Sequence, residues 1–306
     1  MCKTYRTILL TLLVMALLSM AVAAPAQVTN YENPNSNISG TVRNDGTDDG
    51  YQSLWDEVYQ HARADLPRSQ MQVLQRIMEK ARQEDNYGQL LTAQLMDASL
   101  AVSLSPDSFE VVVRKIKEEE KKASTVDTAL AAVYRTVLSR LLQIRHFDAE
   151  GAALYAKNAM EHPEKLATSS ALGWQPFLIR GSDGSIFNDD LLSVVGFATG
   201  NAGAVHEYYM GTDNRKAQLV SAFMMLGNDD SHRSEQSVVD WRNECILKLD
   251  SLMACYADLP ECGELALRKV LLMQASGNYT ARQQMEFIDE ALEKWGGWKN
   301  AVALLN

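Results

Sequence analysis

The stretch Leu54-Trp55-Asp56-Glu57-Val58-Tyr59-Gln60-His61-Ala62-Arg63-Ala64-Asp65-Leu66-Pro67-Arg68-Ser69-Gln70-Met71-Gln72-Val73-Leu74-Gln75-Arg76-Ile77-Met78-Glu79-Lys80-Ala81 decides the fold. Its first half places Leu54, Trp55, Val58, Tyr59, Ala62 and Leu66 at the spacing that lines one side of a helix. Pro67 then lacks the amide hydrogen a helix interior needs, but its fixed backbone angle suits the first turn of a new helix. The second half puts Met71, Leu74, Met78 and Ala81 on one face with Ile77 beside them. A short break between two apolar faces lets both be buried only if the chain doubles back, which predicts an antiparallel helical hairpin.

The same pattern continues toward the C-terminus. Gln83 to Tyr87 is a polar break, and Leu90 to Leu104 reads as a third helix apolar enough to be covered on more than one side. Ser105-Pro106 predicts a cap followed by a first-turn proline, with Asp107 and Glu110 placed where the helix dipole favours acid. Val112 and Ile116 continue that helix inward, and a fifth is predicted from Val126 to His146 through Leu130, Tyr134, Val137, Leu138, Leu141 and Ile144. In the last third, Val238, Trp241, Cys245, Leu249, Leu252 and Tyr256 mark one helix, and Leu267, Val270 and Leu271 a second. Thr280 and Gln283 form a capping box ahead of Met285, Ile288, Leu292 and Trp295, and Gly296-Gly297 offers a left-handed stop. Alternating strand patterns are scarce, so the expected class is all-α: stacked antiparallel hairpins, helical-repeat-like, with one irregular segment. The hairpins are each about 35 residues, near the tetratricopeptide period, but the consensus of that repeat is absent.

The irregular segment is Glu161 to Asn188, which carries Pro163, Gly173, Pro176, Gly181 and Gly184 around an apolar patch of Trp174, Phe177, Leu178 and Ile179. A connection this long with hydrophobic residues of its own is packed onto the body or used for binding, so the patch is the candidate interaction segment. The organisation read from the chain is a leader at 1–26, a linker at 27–50, a helical-hairpin block at 51–160, the connection at 161–188 and a second helical block at 189–306. The leader follows from Lys3 and Arg6 ahead of an uncharged run, Ile8 to Ala24, that ends in small residues. Cleavage fits after Ala23 or after Ala26, and the rival to cleavage is an anchor at the lower length limit for spanning a bilayer. Gln27 to Gly50 is too polar to offset the entropy of ordering itself. The expected location is therefore outside the cytoplasm, in the periplasm or cell envelope.

Among 306 residues, 39 acidic side chains outnumber 29 basic ones, and the net charge of -10 disfavours nucleic acid or an anionic membrane surface as a partner. Catalytic and cofactor signatures are missing. His61, His146, His162, His206 and His232 are scattered, and His206-Glu207 has Met210 where a second zinc-binding histidine would stand. There is no nucleophile elbow, phosphate-cradling loop or dinucleotide fingerprint, and the expectation is no cofactor and no metal. Gly181-Ser182-Asp183-Gly184 with Asn188-Asp189-Asp190 lacks the alternating ligands of a calcium loop and reads as a turn followed by a helix N-cap. The charge run from Arg114 to Lys122 reads as a solvated face paired through Arg114 to Glu118, Lys115 to Glu119 and Glu118 to Lys122. In an exported chain Cys255 and Cys262 either close a disulfide across the turn between two helices or remain two thiols; the spacing does not decide.

Leu54-Trp55 with Asp65-Leu66-Pro67-Arg68-Ser69, then Phe187-Asn188-Asp189-Asp190-Leu191-Leu192 with Gly196, then Ala291-Leu292-Glu293-Lys294-Trp295-Gly296, resemble the N-terminal helical region of bacterial alpha-2-macroglobulin-family proteins of the Bacteroidetes type. The resemblance extends from about residue 51 onward and rests on short structural motifs. In that family the bait segment and the Cys-Gly-Glu-Gln thioester lie downstream of this region. Cys262-Gly263-Glu264-Leu265 echoes the thioester string, but Leu265 has no side-chain carbonyl to form the bond. The resemblance therefore implies a non-catalytic exported module, lacking bait and thioester parts, that contacts a protein partner or the downstream domains of a longer chain. The alternative is a stand-alone periplasmic helical-repeat scaffold for a peptide or envelope protein.

Overall fold

The computed structural model describes residues 50–143, 148–170, 179–180, 186–188, 190–226 and 235–296. The fold is all-α. In chain order the helices are α1 (Tyr51–Arg63), α2 (Pro67–Gln83), α3 (Tyr87–Leu104), α4 (Phe109–Ala123), α5 (Thr128–Gln143), α6 (Ala149–Ala159), α7 (Pro163–Ala167), α8 (Leu191–Ala198), α9 (Ala202–Met210), α10 (Arg215–Met225), α11 (Glu235–Cys255), α12 (Cys262–Ser276) and α13 (Ala281–Trp295). Between α7 and α8, β1 (Ile179–Arg180) and β2 (Ile186–Asn188) pair antiparallel as a short ribbon, and a bridge joins Ser170 to Asp190. No helix among the described residues is long and apolar enough to cross a membrane.

Sequential helices pack as hairpins: α1 on α2, α2 on α3, α4 on α5, α5 on α6, α9 on α10, α11 on α12 and α12 on α13. The first two of these turns are Schellman caps. After α1, Asp65 takes φ 55 while Leu66 N–H donates to His61 O at 3.0 Å. After α2, Asp85 takes φ 52 while Asn86 N–H donates to Ala81 O at 2.9 Å. In both turns a non-glycine residue holds the left-handed conformation that glycine adopts most freely.

The apolar side chains gather into two clusters. The smaller holds Tyr51, Val58, Val73, Leu74, Ile77, Met78, Ala81, Leu90, Ala93 and Leu100, all from α1, α2 and one side of α3. The larger begins on the other side of α3 with Leu91, Leu95, Ala98 and Val102 and runs without interruption through α5, α8 and α12 to Trp295. It therefore spans both helical blocks, with α5 packed against α8. The two-sided burial of α3 matches its apolar composition. Inside this core Tyr134 O–H donates to Gln94 Oε1 at 2.7 Å, tying α3 to α5.

Several local expectations need correction. The fifth helix starts at Thr128, with Asp127 Oδ1 accepting from Leu130 N–H at 2.7 Å, and His146 and Ile144 lie outside the described residues. Ser105 makes no side-chain cap; Pro106–Ser108 forms a 3-10 turn, and Ser108 Oγ donates to Ala101 O at 2.8 Å before α4 begins. Along α4 the observed ion pairs are Lys122 with Glu119 at 2.8 Å and, across to α5, Arg135 with Glu120 at 2.8 Å. The cross-helix partner was invisible to an i,i+4 reading. Gly296 is right-handed at φ -62, whereas Gly277 supplies a left-handed stop for α12 at φ 68. The capping box at Thr280 and Gln283 and the N-cap at Asp190, which accepts from Ser193 N–H at 2.7 Å, form as read.

Candidate functional site

An open groove of about 1080 Å³ lies where the end of α5, one face of α6 and the α8–α9 corner meet. Its floor is methyl groups: Ala149, Ala152, Ala153 and Ala156 recur at helical spacing along α6. Gln143, Asn158, Thr199 and Asn201 supply amides and a hydroxyl around it, Met160 adds a flexible thioether, and Lys157 and Glu161 contribute one charge of each sign.

Each wall is held from outside the groove. Asp148 caps α6 by accepting from Gly151 N–H at 2.8 Å, and a Cβ on Gly151 would stand 2.2 Å from the Asp148 carboxylate, so this cap requires glycine there. Arg135 reaches from α5 to the far end of α6, donating to Asn158 O at 3.0 Å and to Glu161 Oε2 at 3.5 Å while its Nε pairs with Glu120. The α8–α9 corner is a third Schellman turn: Gly200 sits at φ 77 and Asn201 N–H donates to Gly196 O at 2.7 Å. Asn201 Nδ2 then donates to Thr199 Oγ1 at 2.8 Å, fixing both polar side chains of that wall.

Ser221 and Tyr209, near this region, are committed to structure. His206 Nδ1 lies 3.1 Å from Ser221 Oγ, a spacing that suits a nucleophile and its base. Ser221 is fully buried, however, and its hydroxyl donates to Gln218 O at 3.0 Å, leaving the oxygen to accept from the His206 ring N–H. Such a serine has no path to a substrate. Tyr209 O–H donates to the Asp190 carboxylate, and burial followed by the Asp190 charge pushes the phenol pKa well above its ordinary value. Arg140 Nε on α5 is buried with no hydrogen-bond partner among the described residues, and burial lowers the guanidinium pKa; Arg140 does not line the groove. No group of three or more His, Cys, Asp or Glu able to hold a metal ion occurs among the described residues.

All three cysteines of the helical body are free thiols. Cys255 ends α11 exposed, with its carbonyl accepting from Arg215 Nη2 at 3.0 Å. Cys262 opens α12 fully buried, and its Sγ donates to Tyr256 O at 3.1 Å. Burial, then Glu261 and Asp258, push the Cys262 thiol up to about 12, which suppresses the thiolate that nucleophilic chemistry needs. The string Cys262-Gly263-Glu264-Leu265 is the buried first turn of α12, with Leu265 in the core.

No family model, curated protein or solved structure matches the chain.

The groove was not legible in the amino-acid pattern. Residues 149–156 carry four alanines and one leucine, and a helix face made of methyls has no large apolar repeat to announce it. The signal that marks α6 is the pair Asp148 and Gly151, an N-cap with room above it. Of the predicted interaction patch, Trp174, Phe177 and Leu178 lie outside the described residues, and Ile179 opens β1, where it pairs with Asn188.

Proposed function

We propose that the chain is a non-catalytic, exported helical module that holds a protein partner, corresponding to the N-terminal helical region of an alpha-2-macroglobulin-like protease-trapping protein. The observation that carries this reading is the open groove itself, floored by Ala149, Ala152, Ala153 and Ala156 and rimmed by Gln143, Asn158, Thr199 and Asn201. A floor of methyls admits the close approach of a polypeptide backbone. The Gln143 and Asn158 side-chain amides at the rim offer both donors and acceptors to its peptide groups. The leader-like run at residues 8–24 supports export.

The experiment is site-specific photo-crosslinking of the full chain expressed with its leader. A benzophenone side chain replaces Ala153, exposed in the groove, or Gln60, exposed on α1. The expected result is a discrete polypeptide adduct from position 153 and none from position 60. Equal adduct patterns from both positions, or no adduct from 153, refute the groove as the binding face. Turnover of any substrate by the purified chain refutes the non-catalytic reading.

A further inference from the structure

We infer that the α1–α2 hairpin is an exchangeable unit: it leaves its seat on α3 while the rest of the body stays folded, and the α1–α2 hairpin of a second copy of this chain takes the vacated seat. The proposal is independent of the function argued above. It starts from the division of the core. Val73, Leu74, Ile77 and Met78 meet Leu90 and Leu100 in a cluster that shares no buried residue with the main one; half-buried Tyr87, at the start of α3, packs against both. The extensive contacts of α1 are with α2, and those of α2 are with α1 and α3. Polar cross-links follow the same route: Trp55 Nε1 donates to Gln89 Oε1 at 2.7 Å and Gln75 Nε2 to Asp97 Oδ1 at 3.5 Å, both ending on α3.

The seat itself is anchored elsewhere. The opposite side of α3 is buried in the main cluster through Leu91, Leu95 and Val102, and Gln94 accepts from Tyr134 on α5. Removing the hairpin therefore costs one apolar interface and leaves α3 held. Opening the molecule at this boundary is a sub-global event rather than global unfolding.

The hinge favours exchange over simple reclosure. Only Glu84, Asp85 and Asn86 separate α2 from α3, and Asp85 holds a left-handed backbone at φ 52. A short hinge under strain is relieved when the two helices part, because Asp85 then takes an ordinary conformation. What refits the exposed face of α3 is the surface already complementary to it, which a second copy carries unchanged. That is why the occupant is this chain and not an unrelated helix.

The test is the oligomeric state of the full chain by light scattering after size exclusion, following incubation at millimolar concentration and moderate warmth. Wild type is expected to give a dimer that persists on dilution. Asp85→Gly, which removes the hinge strain, is expected to lower the dimer fraction at least about fivefold. Deleting Asp85 and Asn86 makes the closed turn too short and is expected to make the dimer the main species. Exchange is distinguished from mere association by mixing Gln75→Cys and Asp97→Cys copies, both in a Cys255→Ser background. Only an exchanged hairpin brings position 75 of one copy to position 97 of another, giving a mixed disulfide dimer. Wild type that stays monomeric throughout overturns the inference, as does a dimer without the 75–97 link; these arms stand even if the deletion variant fails to fold.

Discussion

Gly196→Ala tests the corner on which the groove depends. In an exposed helix interior this change stabilises by about 1 kcal/mol, since alanine loses less backbone entropy than glycine. Gly196 is buried in α8, and a Cβ there would stand 2.1 Å from Val205 Cγ2, with Met160 Cε and Sδ at 3.4 and 3.5 Å behind it. Val205 is fully buried on α9, so its methyl has no empty space to turn into. Nor can α9 back away freely, because the Asn201 N–H to Gly196 O bond at 2.7 Å and the left-handed Gly200 fix the turn between the two helices. Overpacking of this kind costs about 1–3 kcal/mol. A 2.1 Å approach to a buried methyl puts the cost in the upper part of that range, about 2–3 kcal/mol, so after the propensity gain the expected net loss is about 1–2 kcal/mol, or roughly 3–6 °C in Tm for a body of this size. Urea denaturation of the single variants and of the pair with Val205→Ala gives a complete cycle. Val205→Ala alone is expected to cost about 1–3 kcal/mol, and the double variant should be more stable than the sum by about 1–2 kcal/mol, because removing the methyls removes the clash. Additive effects, or a Gly196→Ala protein at least as stable as wild type, would refute the claim that close approach at this position sets the corner.

Three further outcomes follow from the same geometry. Asp65→Gly is expected to stabilise by about 0.5–1 kcal/mol in thermal unfolding, since glycine takes the left-handed angle after α1 without penalty; a loss would show that the Asp65 side chain does more than occupy the turn. Tyr134→Phe leaves Gln94 Oε1 buried without its donor and should cost about 1–3 kcal/mol, while Tyr134→Phe with Gln94→Leu should recover part of that loss in denaturant titration. Asp97→Asn bears on pH. Burial raises the Asp97 carboxyl above its ordinary value, against the weaker opposing effects of Lys115 and Gln75, so the folded state holds the proton more tightly than the unfolded chain. Stability from this group is full below the unfolded value of 3.8 and is lost as pH rises through the folded one. Asp97→Asn should therefore be more stable than wild type at neutral pH, with the gain vanishing below pH 3.8; a gain unchanged across that range would assign it to another cause.

The helical hairpins were readable because large side chains fell at helical spacing next to residues that break helices. Leu54 to Ala81 carried both signals, and Thr280 with Gln283 carried a cap whose geometry is local. The contacts that organise the molecule were unreadable for the opposite reason. Arg135 meets Glu120 and the end of α6 across three helices, and nothing in its neighbours along the chain encodes that. The Ala149 to Ala156 face has no bulky repeat. Asp65 and Asp85 replace the glycine that usually announces a Schellman turn, so both hairpin turns were visible only as polar breaks.

The groove is held rigid by parts that do not themselves face a ligand. Asp148 and Gly151 fix the start of α6, Arg135 fixes its end, and the turn through Gly200 fixes the opposite wall. The walls come from segments more than fifty residues apart in the chain, from Gln143 to Asn201, so their spacing reflects the whole fold rather than one loop. A surface held this way loses little conformational freedom when something binds, and that entropy is a main cost of association. Lys157 and Glu161 put one charge of each sign on the groove. Ser221, Cys262 and Tyr209 are buried donors whose partners lie within the fold, and for Cys262 and Tyr209 burial also raises the pKa. A preorganised surface lowers the entropy cost of holding whatever binds it, and the crosslinking contrast between Ala153 and Gln60 tests for a bound polypeptide directly.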